Sequence, residues 1–129
     1  MIEYISYQFH NLDIEGDSSL PTAVVRLKVN DKETIEAAVD RNSPNALFKA
    51  FCRASKIEFN LIAYQIRERY RGGNSIGRAS VRIGIDKKEM RGFGKDVDSR
   101  KAFLLALIDA TNRFLKTKKE EVDNGTSGG

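Results

Sequence analysis

The chain matches itself, without a gap, when it is shifted by 56 positions. Segment Ala23–Ala54 then lies over Ala79–Ala110. The residues that recur identically 56 positions later are Ala23, Val25, Arg26, Lys32, Glu33, Asp40, Ser43, Ala46, Ala50 and Ala54. Ordinary residue frequencies would give only about two identities by chance. The chain therefore contains two copies of one supersecondary unit, each too small to bury a core alone.

The first copy has the pattern of a hairpin followed by a helix. Apolar and polar residues alternate over 25–30 and again over 35–39, which is the period of half-buried strands. Asn30-Asp31-Lys32 between them favours a turn. Asn42-Ser43-Pro44 predicts a helix start, with Ser43 as the N-cap and Pro44 at the first helical position.

The second copy repeats this order with a longer helix. Alternation over 81–86 and a return strand over Met90–Lys95 precede a helix from about Ser99 to Lys118, capped by Asp98. Extended segments rich in β-branched and aromatic residues, Ile2–Phe9 and Ile57–Tyr70, precede the two hairpins. Polar or glycine-rich links are predicted at Asn11–Leu20 and Arg71–Ser75.

These elements predict an α+β fold with pseudo-two-fold βββα-βββα order, in which each antiparallel sheet carries a helix on one face. Residues 1–118 form one domain, with the first repeat over about 1–55 and the second over about 56–118. Residues 119–129, which end in Asn-Gly-Thr-Ser-Gly-Gly, are predicted to be a flexible tail.

Composition indicates a single cytoplasmic, soluble domain. A length of 129 residues with 40% hydrophobic content suffices for one core. No apolar run approaches the roughly 20 residues of a membrane span, and the start is not that of a signal peptide. The net charge of +4 hints at a polyanion partner, but 18 acidic residues are interspersed with the basic ones, so nucleic-acid binding is not the expectation.

Residues for catalysis or metal binding are scarce. His10 is the only histidine and Cys52 the only cysteine, too few for a zinc site or for a nucleophile with its own base. We expect His10 at the surface and Cys52 as a small buried apolar residue. This chain alone is therefore predicted to be no enzyme and to hold no cofactor.

Two glycine-bearing segments, Arg71–Gly77 and Gly92–Asp98, have two interpretations. Glycine permits positive φ and close approach of a ligand, and the helix start after the second segment exposes N–H donors that suit a carboxylate. Alternatively, the glycines only form turns and let strands pack. The Gly-x-Gly at 92–94 lacks the third glycine of a dinucleotide-binding loop.

Several segments together resemble the C-terminal regulatory domain of 2-isopropylmalate synthase and citramalate synthase. The likeness spans about Tyr4 to Leu115. The segments that carry it are Pro21–Leu27, Asn42-Ser43-Pro44, Ala46–Ala50, Leu61–Ile66 (Leu-x-x-Tyr-x-Ile), Gly72–Gly77, Gly92-Phe93-Gly94, and Asp98, Ala102, Ala106, Ala110 and Asn112 in series. The chain departs from the family pattern at Asn74 and Ser75, at Ser43-Pro44-Asn45 and at Val97–Arg100, which concerns the identity of the effector more than the fold.

The resemblance implies an allosteric module. Such domains form homodimers, bind the end product of the pathway at or near the dimer interface, and inhibit a separate TIM-barrel domain. That barrel condenses acetyl-CoA with a 2-oxoacid, using a divalent metal. The implied effector is a branched-chain amino acid, leucine first and isoleucine next.

The resemblance also suggests which residues contact the effector. Leu61 and Tyr64 would form an apolar slot with Ile76 and Val97 beside it. Asn74, Ser75 and Asp98 would pair with the ammonium group or with waters near it. Amides around Gly94 and Ser99 would take the carboxylate, and Ala102 would leave space at the floor. The alternative is purely structural, with Leu61 and Ile76 in the core and Asp98 as an N-cap.

Two other functions remain open from the sequence. One is a freestanding amino-acid-binding module that regulates a partner in trans. The other is a basic α+β nucleic-acid binder that uses Arg67, Arg69, Arg71, Arg78 and Arg82 on a sheet face.

Overall fold

The elements occur in the predicted order, three strands and a helix, twice. The computed structural model describes residues 1–12 and 20–127. Its elements are β1 (Ile2–Leu12), β2 (Leu20–Val29), β3 (Lys32–Val39), α1 (Ser43–Ser55), β4 (Asn60–Arg71), β5 (Asn74–Ile85), β6 (Lys88–Asp96) and α2 (Ser99–Ser127). The predicted βββα-βββα fold is confirmed.

Each repeat folds into its own antiparallel sheet, with strand orders β1-β2-β3 and β4-β5-β6. The turns from β2 to β3 and from β5 to β6 have the same backbone shape. Asn30 and Asp31 have positive φ angles of 49° and 69°, and Asp86 and Lys87, 56 positions later, have 48° and 66°. Two consecutive left-handed residues form the two-residue hairpin turn that matches the twist of the strands.

A β-bulge also recurs in both sheets. Tyr4 pairs with Leu27 and Ser6 with Arg26, which leaves one extra residue in β1. Leu61 pairs with Ile83 and Ala63 with Arg82, which leaves one extra residue in β4. The first bulge lies opposite Arg26 and Leu27 of β2, and the second lies opposite Arg82 and Ile83 of β5, 56 positions later. The structural repeat therefore includes β1 and β4, which precede the segments with identical residues.

One hydrophobic core joins the two repeats. α1 packs on β2 and β3, and α2 packs on β5 and β6. The helices also contact each other, and α2 reaches across to β1 of the first repeat. Val25 and Leu27 of β2 and Ile83 of β5 are fully buried, because alternation directs them from the sheets toward the helices.

The start of α1 lies one residue before the predicted one. The N-cap is Asn42, not Ser43: its backbone is extended, and its side chain accepts the N–H of Asn45 at 2.9 Å. The carbonyl oxygen of Asn42 accepts the first helical bond, from Ala46. Asn and Ser are equally good caps, so composition alone did not distinguish the two positions.

The second helix is longer than predicted, because it runs to Ser127 instead of ending near Lys118. Residues 119–127 are thus helical where the sequence predicts a flexible tail. The segment contains Lys and Glu, which are good helix formers. An ion pair from Lys88 at the start of β6 to Glu121 ties the helix to the sheet.

The predicted links are shorter in the structure. β1 continues to Leu12 and β2 begins at Leu20, so the strands include both ends of the predicted link Asn11–Leu20. The rest of that link lies outside the described residues. The link at Arg71–Ser75 is a tight turn at Gly72 and Gly73, whose φ angles are 57° and 85°. An added Cβ would meet nothing there within 4 Å, so these glycines serve the turn.

Candidate functional site

Most of the predicted effector-binding residues gather where α2 begins. Asp98 caps the helix as predicted, and its Oδ1 accepts the backbone N–H groups of Arg100 at 3.0 Å and Lys101 at 3.5 Å. Its other carboxylate oxygen accepts the hydroxyl of Tyr7 from β1. Burial, reinforced by this hydrogen bond, raises the pKa of Tyr7 well above its ordinary value. The backbone N–H groups of Arg100 and Lys101 are therefore already hydrogen-bonded within the chain.

The glycines near this helix start serve packing. The Cα of Ser99 would lie 2.6 Å from a Cβ added to Gly77. A Cβ on Gly94 would overlap the carbonyl oxygen of Ala102 and lie 2.7 Å from the amide nitrogen of Ala106. Ala102 is fully buried beneath this contact. The geometry supports a structural role for the Gly-x-Gly segment, but the element that packs closely on it is helix α2 and not another strand.

The remaining predicted residues of this end form a partly exposed rim. Ser75 and Ile76 are half-buried at the start of β5, next to Gly77. Val97, between β6 and α2, is 75% exposed. Asn74 begins β5 opposite Arg71, and its side chain lies outside the described part of the chain.

Leu61 and Tyr64 lie elsewhere, on the edge strand β4. The bulge between them places both on the helix-facing side, because Leu61 pairs with buried Ile83 and Tyr64 with buried Val81. This explains how two residues three positions apart share one face of a strand. The Tyr64 ring packs edge-to-face on Phe103 of α2 at 5.4 Å, while 42% of the residue stays exposed.

The two groups are separate within one chain. Val81, the partner of Tyr64, lies five residues along β5 from Ile76. At about 3.3 Å per residue this is roughly 16 Å. Leu61 pairs with Ile83, which is two residues further along β5. One bound amino acid cannot bridge the slot formed by Leu61 and Tyr64 and the rim formed by Ser75 and Ile76.

Leu61 and Tyr64 line a cleft between β4 and the start of α1, which we call the α1 cleft. Its volume is about 510 Å³. The lining residues are Asp40, Asn45, Phe48, Lys49, Asn60, Leu61, Ile62, Ala63 and Tyr64. One wall is thus apolar and aromatic, and the opposite wall carries an acid, a base and an amide.

The charges of the α1 cleft form an ion pair between Lys49 Nζ and Asp40 Oδ2, 2.7 Å apart. The hydrogen bond from Lys49, aided by the backbone N–H of Arg41, holds the pKa of Asp40 below its usual value. Asp40 is therefore ionised at neutral pH. No acidic residue lies in the first turn of α1, and its cap, Asn42, is neutral, so the positive end of the helix dipole is not neutralised there.

The equivalent position of the other repeat is closed. Fifty-six positions after Asn42 and Asn45 stand Asp98 and Lys101, and the strand beside them is β1. The Arg100 guanidinium lies 4.4 Å from the Phe9 ring centre and the Lys101 ammonium 4.9 Å from that of Tyr4. Lys101 also pairs with Asp96 at 3.4 Å, and Tyr7 with Asp98. Long side chains thus occupy the position where the first repeat leaves the α1 cleft.

Sequence reasoning missed the polar wall of the α1 cleft. Asp40, Asn45, Phe48 and Lys49 precede Leu61 and Tyr64 by a whole helix, so no local motif links them. One signal was present, because Asp40 is identical to Asp96 in the repeat. That identity marked both helix starts as equivalent, but only the structure distinguishes the open one from the closed one.

The two isolated reactive residues, His10 and Cys52, differ in exposure. His10 is exposed, as expected. Cys52 is half-buried, and burial raises the pKa of its thiol to about 11, which keeps it protonated at neutral pH. Over the described residues no three His, Cys, Asp or Glu side chains are placed to hold a metal ion. No helix within 1–12 and 20–127 is both long and apolar enough to cross a membrane.

Comparison with known proteins identifies the family. The model of the LeuA allosteric (dimerisation) domain matches residues 3–115. The chain is 33% identical over 117 residues to a 2-isopropylmalate synthase of Bacillus licheniformis, with 88% of this chain and 23% of that protein covered. Identity to the 2-isopropylmalate synthase of Shewanella sediminis is 28% over 119 residues, covering 91% and 23%. The chain thus spans about a quarter of the length of these relatives, and it belongs to the LeuA allosteric (dimerisation) domain family.

Proposed function

We propose that this chain is the regulatory domain of a 2-isopropylmalate synthase-type acyltransferase and that it binds a branched-chain amino acid as a feedback inhibitor. Leucine is the first candidate and isoleucine the second. Support comes from the family match over residues 3–115 and from the names of the relatives. The catalytic barrel would belong to the same enzyme, and the regulatory domains would pair in a homodimer.

The α1 cleft is the observation that carries the proposal. A free amino acid presents an ammonium group, a carboxylate and a side chain. Asp40 is ionised and offers an oxygen for the ammonium, and Lys49 with the start of α1 offers positive charge for the carboxylate. A zwitterion inserted between Asp40 and Lys49 would replace their 2.7 Å ion pair with two new ones, so no charge is left unpaired.

The side chain of the effector would contact the apolar wall formed by Phe48, Leu61 and Tyr64. A branched aliphatic group fits such a wall, and burial of its methyl groups contributes about 0.8 kcal/mol per carbon. A lysine side chain would bring its ammonium group against these apolar residues, which costs free energy. Selectivity for leucine-like side chains follows from this arrangement.

The predicted residues at the start of α2 take a different part in the proposal. Asn74, Ser75, Ile76, Gly94, Val97, Asp98, Ser99 and Ala102 belong to the far end of the second sheet and the helix above it. In a homodimer the partly exposed rim of this group, Val97 with Ser75 and Ile76, would approach an effector in the α1 cleft only from the second protomer. Their contact with the effector remains a prediction.

Thermal unfolding with leucine, isoleucine, valine and lysine tests the proposal. A ligand present at 100 times its Kd adds about 2.7 kcal/mol to the free energy of unfolding, which raises the Tm of a domain of this size by several degrees. We expect a rise with leucine, a smaller one with isoleucine and none with lysine. Equal shifts for all four, or no shift for any, would contradict the proposal.

A variant locates the site. Tyr64→Ala removes the centre of the apolar wall and should abolish the leucine-induced rise in Tm. Val97→Ala, at the rim, is the matched variant: it should reduce the rise only if the partner protomer completes the site. Val97 is 75% exposed, so Val97→Ala should change the unliganded Tm little. Tyr64→Ala also removes the ring contact with Phe103, so its leucine-induced rise is measured from its own unliganded Tm.

A further inference from the structure

The outer face of the second sheet is strongly basic. Residues of β4, β5 and β6 alternate between the helix side and the outside, and the pairing register brings the outward ones together. The charged residues of this basic face are Arg67, Arg69, Arg78, Arg82, Glu89, Arg91 and Lys95. They carry six positive charges and one negative, a net +5. Because the whole chain has +4, all other residues together carry −1.

The fold itself does not require this charge. Arg67, Arg78 and Lys95 stand directly opposite one another across three strands, and like charges in that position destabilise a sheet. In the first repeat, Thr22 and Val39 occupy the positions equivalent to Arg78 and Lys95. The same architecture thus forms without these charges. Because the charges destabilise the sheet, their presence needs an explanation other than folding.

Edge protection does not provide that reason. Charged residues on an edge strand block sheet-to-sheet aggregation, and Arg67 and Arg69 on β4 fit that role. β5 is the central strand, however, and it carries Arg78 and Arg82. Basic residues at the centre of a sheet point to a partner that lies across the face.

A recess in the basic face can accept an anionic group. Its volume is about 390 Å³, with Ala63 and Ser80 among its lining residues and the side chains of Arg82, Arg91 and Phe93 around it. Arg82 Nε is buried and has no hydrogen-bond partner among the described residues. Glu89 Oε2 is 3.7 Å away, too far for a hydrogen bond. A buried guanidinium N–H without an acceptor is costly, and a ligand oxygen in the recess would satisfy it.

We propose that the basic face docks an acidic segment of a protein, with one carboxylate in the recess between Arg82 and Arg91. Guanidinium groups bind carboxylates through two parallel hydrogen bonds. The other basic residues of the face would pair with further carboxylates of the same segment.

Nucleic acid fits this face less well. Single strands bind sheets mainly by stacking bases on aromatic rings. Phe93 is the one aromatic residue among the outward positions, and it lies on the edge strand β6. Its ring is 5.7 Å from the Arg113 guanidinium of α2, and its backbone N–H donates to Asp109. The centre of the basic face therefore has no stacking platform.

Fluorescence anisotropy with two labelled probes tests the docking surface. The probes are a polyglutamate peptide and an oligothymidine of the same net charge, each titrated with the whole chain at low and at physiological ionic strength. The peptide should bind more tightly than the oligonucleotide. The double variant Arg82→Gln/Arg91→Gln should weaken peptide binding at least tenfold. The matched control is Arg26→Gln/Lys28→Gln, which removes two charges from the outer face of the first sheet, with Arg26 at the position equivalent to Arg82. It should bind within about twofold of the wild type.

Three results would overturn the proposal. Tighter binding of oligothymidine, lost in the same variant, would assign the face to nucleic acid. Equal losses in the test and control variants would show that only net charge matters. Absence of binding to both probes at low ionic strength would remove the docking role. Circular dichroism of each variant confirms that the fold is intact.

Discussion

At the scale of single residues, the glycines of the second sheet explain why α2 can lie so close to it. A Cβ on Gly92 would overlap the carbonyl oxygen of Ala106 and lie 2.5 Å from the amide nitrogen of Ala110. Gly94 and Gly77 meet the same helix one and two turns earlier. Glycine on the strand and alanine on the helix together permit this backbone contact.

Gly92→Ala should therefore destabilise the domain strongly. The new methyl group meets main-chain atoms, which cannot rotate away, so α2 must shift from β6. We expect the free energy of unfolding to fall by about 2–4 kcal/mol, measured by equilibrium urea denaturation. The control is Gly84→Ala, where the nearest atom is the flexible end of Ile62 at 3.2 Å. A loss for Gly92→Ala no larger than for Gly84→Ala would refute the packing role.

At the scale of elements, β1 is held by a helix of the other repeat. The side-chain amide of Asn112 on α2 donates to the carbonyl oxygen of Ile2 at 2.9 Å, and its oxygen accepts the Ile2 N–H at 2.8 Å. The two bonds fix the first residue of β1 to the middle of α2. The repeats are thus joined by a polar clamp as well as by the shared core.

Asn112→Ala should loosen this clamp. Both backbone groups of Ile2 lose their partner in a partly buried position, so we expect a loss of about 1–3 kcal/mol in the free energy of unfolding. Amide hydrogen exchange at Ile2 should accelerate as the end of β1 frays. Lys116→Ala, at an exposed position one turn further along α2, is the control. Unchanged exchange at Ile2 would contradict the role of the clamp.

The elements were more predictable from the sequence than the site. The hairpins follow from alternation around Asn30-Asp31 and Asp86-Lys87, and the Asp98 cap follows from local chemistry. The prediction of Ser43 as the cap of α1 was wrong, because Asn and Ser cap equally well and the cap is Asn42. The predicted end of α2 near Lys118 was also wrong, because a charged helix end resembles a tail in composition. Alternation also could not tell which sheet edge lies beside which helix start, and the α1 cleft depends on that.

At the scale of the whole molecule, the duplication yields two equivalent helix starts, of which one has an open cleft and the other does not. Beside α1, Asn45 and Leu61 leave the α1 cleft open. Beside α2, the equivalent positions carry the larger Lys101 and Tyr4, which contact each other and fill the space. In the described part of the chain, the two similar halves therefore differ at their helix starts, because the α1 cleft is open and its counterpart beside α2 is filled.

Calorimetric titration of leucine into the whole chain tests whether the α1 cleft is the effector site. We predict one leucine bound per chain. Asp40→Asn removes the charge that faces the ammonium group and should weaken binding at least tenfold. Asp96→Asn, its equivalent in the closed half, should leave the affinity within about twofold. Two leucines per chain would contradict a single site in the α1 cleft, and so would a larger loss of affinity for Asp96→Asn than for Asp40→Asn.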